Sequence, residues 1–108
     1  MANITVQQLS QLGVDPNFIA ADVAGDTPSN DGRTVVHVKN DGSSPIDVTI
    51  DSVEKCNQGF DHNLTVSIPA GDEKIIGPFD IKRFNNENSR LNISYSAVTS
   101  VTVAAYRI

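Results

Sequence analysis

The chain has 108 residues and a net charge of −5, with 39% apolar and 19% charged residues. That is too apolar and too weakly charged for a disordered polypeptide, and it is sized for one domain with one core. The pI of about 4.7 and eight scattered basic residues argue against a nucleic-acid interface, because neutralising phosphates needs clustered lysine and arginine.

Met1 to Gln8 lack a basic stretch followed by an apolar one, so no leader is read and cytoplasmic folding is expected. No run anywhere approaches the ~18 apolar residues of a membrane span. Ile4 and Val6 can make a short strand, and Leu9 and Leu12 one helical turn. Gly13 to Phe18 reads as a break, and Ala20 to Gly32 is small, polar and almost without pattern. Such stretches inside compact domains are uncommon and often serve binding. Two readings stay open for residues 1–32: a loop and one strand laid across the chain's own sandwich, or an arm docked on a neighbouring subunit. Ile4, Val6, Leu9, Leu12 and Phe18 are its apolar candidates for an interface.

From Arg33 onward, short apolar/polar alternations are separated by turn residues. Residues 33–39 place Thr34, Val36 and Val38 on one face and Arg33, Val35, His37 and Lys39 on the other, the signature of a half-buried strand. Asn40 to Pro45 reads as a turn, and Ile46 to Asp51 alternates cleanly, so a hairpin is predicted there. Residues 52–62 form a polar loop with Val53 and Phe60 as anchors. Leu64, Val66 and Ile68 mark the next strand, which a Pro69-Ala70-Gly71-Asp72 turn ends. Lys74 to Phe79 resumes an extended run, and Pro78, lacking an amide donor, places it at a sheet edge or ends it. After a polar connection holding Ile81 and Phe84, Leu91, Ile93 and Tyr95 alternate with the inward side apolar. Val101, Val103 and Ala105 do the same in the last strand, which turns Tyr106 to the opposite face as a further interface candidate. Six strands at this spacing predict an all-β fold, an antiparallel β-sandwich of jelly-roll-like or immunoglobulin-like form. It occupies residues 33–108, with residues 1–32 as an extended N-terminal segment of the same domain.

Candidate chemistry is sparse. Cys56 is the sole cysteine, so no intrachain disulfide is expected. Cys56 and His62 share one loop but lack the orienting group and local motif of an activated nucleophile. Asp51, Glu54, Asp61 and His62 lie in or beside that loop without the spacing of a calcium loop or a zinc set. His37 reads as a surface histidine. No catalytic, cofactor-binding or metal-binding residue is assigned, and no enzyme is expected. A sugar-binding module would want aromatic platforms, and the chain has no tryptophan.

Asp31-Gly32-Arg33-Thr34, Val36-His37-Val38-Lys39-Asn40, Gly59-Phe60-Asp61-His62, Ile68-Pro69-Ala70-Gly71, Ile76-Gly77-Pro78-Phe79 and Arg83-Phe84-Asn85 together resemble small structural proteins of tailed bacteriophages, capsid decoration (cement) proteins among them. The resemblance spans about residues 25–108 and rests on turns and strands. It implies a β-sandwich without catalytic residues, a virion location on the capsid surface, the major capsid protein as partner, and a homo-oligomer, most simply a trimer at three-fold positions. Alternatives are a tail or head–tail connector subunit, or a host-directed binding module.

Overall fold

The computed structural model describes residues 2–52 and 63–108. Along the chain run β1 (Ala2–Ile4), β2 (Val6–Gln8), β3 (Ile19–Ala20), β4 (Asp26–Pro28), β5 (Thr34–Asn40), β6 (Ile46–Ile50), β7 (Leu64–Ile68) and β8 (Glu73–Ile76). A one-turn helix, α1 (Ile81–Phe84), precedes β9 (Ile93–Tyr95) and β10 (Val101–Arg107). Among the described residues these strands form two five-stranded sheets packed into a β-sandwich. Sheet I has the order β1-β4-β9-β6-β7; sheet II has the order β2-β10-β5-β8, with β3 also paired to β10.

Alternation explains most of the strands. Ile46, Val48 and Ile50 of β6 face Val36 and Val38 of β5 and Val101, Val103 and Ala105 of β10 across the core, all of them buried. Each such side chain removed from water contributes roughly 1.5–3 kcal/mol if branched and fully buried. Asp47 stays outside on β6. β5 and β10 read less cleanly because both of their faces are covered. Val35, Ala104 and Tyr106 form a second, smaller cluster on the outer face of sheet II, which makes Val101–Arg107 nearly continuous in apolar character. Asp80 opens α1 by accepting from the Lys82 amide at 3.2 Å, and the turn seats Phe84 edge-on against Phe79, ring centres 5.5 Å apart.

Two expectations are corrected. First, β5 and β6 do not form a hairpin. β5 pairs with β10 and β8 in sheet II, whereas β6 pairs with β7 and β9 in sheet I. The segment between them crosses the sandwich, and the fully buried Asn40 fixes the crossing. Its Nδ2 donates to the carbonyls of Ser44 at 2.8 Å and Ile68 at 3.1 Å, while its Oδ1 accepts from the Gly42 amide at 3.1 Å.

Second, the sheets are mixed. β1 runs parallel to β4 and β2 parallel to β10. Residues 2–32, read as a loop and strand laid across the sandwich or as an arm, supply strands to both sheets. Ile4 and Val6 belong to different strands: the chain passes from sheet I to sheet II at Thr5. β8 ends at Ile76, before Pro78, and lies at the edge of sheet II as its proline suggests.

Candidate functional site

The N-terminal segment is tied to sheet II by the pairing of β3 with β10 and, on its outer face, by an aromatic contact. Phe18 packs edge-on against the His37 ring, centres 4.8 Å apart, and the Lys39 ammonium lies 5.0 Å from its centroid. His37 joins three strands: Nδ1 lies 2.9 Å from the Tyr106 hydroxyl and Nε2 lies 3.0 Å from Glu73 Oε1. A neutral ring that donates from Nε2 and accepts at Nδ1 satisfies both partners at once. Burial, then the charge of Glu73, pushes the Tyr106 hydroxyl above its ordinary pKa. His37 is therefore a largely covered bridging residue, not a free surface histidine, and its side chain is 12% exposed.

Before Phe18 the chain makes a loop that projects from the sheet. Its two ends are held by one side chain. The Gln7 amide donates to the Asp15 carbonyl at 2.9 Å, and its oxygen accepts from the Asn17 amide at 2.8 Å. Inside the loop, Gly13 N–H donates to the Ser10 carbonyl at 3.0 Å and Leu12 N–H to Ser10 Oγ at 3.1 Å. Gly13 sits at a φ of +90°, where a side chain would be strained. This bonding holds Leu12 out in solvent, 98% exposed. Leu9 is also exposed, and its amide donates to the Arg107 carbonyl at 2.9 Å, which sets it at the same end as the exposed Ile108.

A cavity of about 420 Å³ opens where this end of sheet II meets the segment leaving β4. Val6 and Gln8 of β2 and Arg107 of β10 line one side; Ser29, Asn30 and Asp31 line another, with Ser89 close by. Asn30 is the rigid part. Its Nδ2 donates to Asn85 Oδ1 at 2.7 Å and to the Phe79 carbonyl at 3.2 Å, and its Oδ1 accepts from the Gly32 amide at 3.0 Å. Asp31 pairs with the Nη2 of Arg107 and lies 3.9 Å from Arg33 Nε. Burial pushes the Asp31 carboxyl up, but the Arg33 amide and the charges of Arg107 and Arg33 outweigh it and hold its pKa below the ordinary carboxylate value. Arg107 Nε is buried without a hydrogen-bond partner. A buried donor left unpaired costs about 1–3 kcal/mol.

The interface candidates thus divide. Leu9 and Leu12 are exposed, and Val6 lines the cavity while packing against the core. Ile4 is 5% exposed and lies inside the main core, so its contacts are with its own chain. Tyr106, 6% exposed, is covered by Phe18 rather than free for a partner. Tyr106 reads as turned away from the core because its cover, Phe18, comes from a distant part of the chain. Cys56, His62, Glu54, Asp61, Val53 and Phe60 lie outside the described residues; Asp51 is half-buried. Among the described residues, no three His, Cys, Asp or Glu side chains gather as a metal site, and no helix is long and apolar enough to cross a membrane. The Gln7 clamp and the Asp31–Arg107 pair were not anticipated. Asp31-Gly32-Arg33 hinted at the second through its turn, but nothing local pointed to Arg107.

Compared with protein-family models, curated proteins and solved structures, the chain matches none of them.

Proposed function

We propose that this protein is a capsid decoration protein of a tailed bacteriophage, one that binds the assembled shell and stabilises it. The observation that carries the reading is Leu12, held out in solvent at the tip of a loop whose base the Gln7 side chain closes. The backbone around it is already held by hydrogen bonds, so docking Leu12 into a partner's pocket would cost mainly the ordering of its own side chain. The sequence resemblance supplies the partner: the major capsid protein, met by a homo-oligomer that a three-fold position would make a trimer. Binding the assembled shell but not its dissociated subunits stabilises it by mass action.

The test is co-sedimentation of the protein with capsid-sized particles from a source lysate, using wild type and Leu12→Asp. Wild type travels with the particles and raises their heat resistance, while Leu12→Asp keeps its fold and stays in the soluble fraction. Wild type remaining wholly soluble beside intact capsids overturns the proposal. Deleting residues 2–20 is not a clean alternative, because Ile4 and β2 belong to the sandwich itself.

A further inference from the structure

We infer that the cavity between β2, β10 and the segment after β4 is a binding site for a carboxylate group, with Arg107 as its anchor. This does not depend on the capsid reading. The first support is electrostatic. The chain carries a net charge of −5, yet the charges of the lining residues Asp31 and Arg107 cancel, and Arg33, 3.9 Å from Asp31, leaves one positive charge over. The local sign is opposite to that of the molecule, and the excess is a single charge, which suits a mono-anion.

The second support is the arginine itself. A guanidinium presents a planar fork that matches a carboxylate. Asp31 already places a carboxylate on Nη2 of this arginine, whose side chain is 43% exposed. Asp31 is thus the internal carboxylate with which an incoming one competes. The third support is the rest of the lining. The hydroxyls of Ser29 and Ser89 make no hydrogen bond to another described residue, so both can donate to a second oxygen. Val6 offers an apolar wall for an aliphatic stem. Asn30 and Thr34 are locked by bonds within the protein, Thr34 Oγ1 donating to the Ser29 carbonyl at 2.9 Å, so the walls are set before a ligand arrives.

The experiment is a nuclear magnetic resonance titration of isotope-labelled full-length protein, reading the arginine Nε–H signals. The probes are glutarate, a short glutamate-containing peptide, and inorganic phosphate. Glutarate is expected to shift the Arg107 signal saturably. Arg107→Gln should weaken that binding about tenfold or more, the loss of one charge-assisted contact, and Asp31→Asn should strengthen it severalfold. Tighter binding of the peptide assigns the carboxylate to a partner's side chain; tighter binding of glutarate assigns it to a free acid. Uniform, unsaturated drift of all arginine signals overturns the proposal, as does a preference for phosphate. If Arg107→Gln fails to fold, Asp31→Asn decides alone: no gain in affinity there overturns it.

Discussion

The Tyr95 hydroxyl donates a 2.6 Å hydrogen bond to Asp26 Oδ2, joining neighbouring strands β9 and β4 of sheet I. Asp26 is fully buried, its Oδ2 also takes the Asp22 amide at 3.3 Å, and its Oδ1 has no partner. Tyr95 is therefore the main group that compensates a buried carboxyl. Tyr95→Phe should destabilise the protein by roughly 1–3 kcal/mol, the cost of leaving a buried polar group unsatisfied. Denaturant unfolding would show this as a lowered midpoint, and an unchanged midpoint would refute it.

Alkaline pH reads the same bond from the other side. Burial, then the hydrogen bond and charge of Asp26 and the charge of Asp22, push the Tyr95 pKa far above the ordinary 10.0, and Tyr106 is raised as well. A folded pKa above the unfolded one means the unfolded chain releases its proton first. The stabilising effect is therefore fully present below about pH 10 and is lost as pH rises beyond it. The chain has two tyrosines and no tryptophan, so near-ultraviolet absorbance reports these two groups directly. Tyrosinate should appear together with loss of the circular dichroism of the fold. Ionisation of both tyrosines while the fold stays intact would contradict this.

Acid acts at the other end. The Asp31 pKa is held below its ordinary 3.8 by the Arg33 amide and by Arg107 and Arg33. With the folded value depressed, its contribution is present above about pH 4 and is lost as pH falls through the folded pKa. Asp31→Asn should flatten the acid limb of a stability-against-pH curve and leave the alkaline limb unchanged. Salt should shrink the difference, since the groups are exposed and screened.

Phe18→Ala should cost roughly 1–3 kcal/mol, less than a fully buried phenylalanine because Phe18 is half-exposed. It would uncover Val35, Ala104 and Tyr106, and hydrogen exchange should quicken at the β3 amides, which pair with β10. Normal protection of β3 in that variant would show that Phe18 does not hold the segment down.

Gly77→Ala should destabilise by roughly 1–3 kcal/mol through backbone strain and crowding. Gly77 has a φ of +120°, and a Cβ there would stand 2.9 Å from Phe79 Cε2 and 3.0 Å from the Thr34 carbonyl oxygen. Thermal unfolding would measure the loss, and a variant as stable as wild type would show that the turn relaxes.

What could be read in advance was whatever depends on neighbours in sequence. Ile46, Val48 and Ile50 alternate, and so do Leu64, Val66 and Ile68; both runs form strands where expected. The hairpin between β5 and β6 failed because a turn and a crossing use the same residues. The choice is made by the Asn40 side chain, which bonds to the carbonyl of Ile68, a residue invisible from the turn itself. Val35 and Tyr106 looked exposed because their cover, Phe18, sits in a stretch without pattern. Ile4 and Val6 looked like one strand because a passage between sheets leaves the alternation unbroken. Of the cavity's lining only Val6 stands out in the sequence, as an apolar candidate for an interface. Arg107 and Asp31 were hidden because their pairing joins distant parts of the chain.

The place of β10 in sheet II has a consequence for how this protein comes into being. β10 pairs with β2, β3 and β5, and all three precede it in the chain. Until residues 101–107 are made, β2 and β3 have no strand beside them in their own sheet, and the apolar faces of β5 stay partly open. Closing pairs so distant carries a large loop-entropy cost and is slow. The chain therefore emerges with its N-terminal strands waiting, and it is during that wait that unpaired edges are exposed to association with other chains.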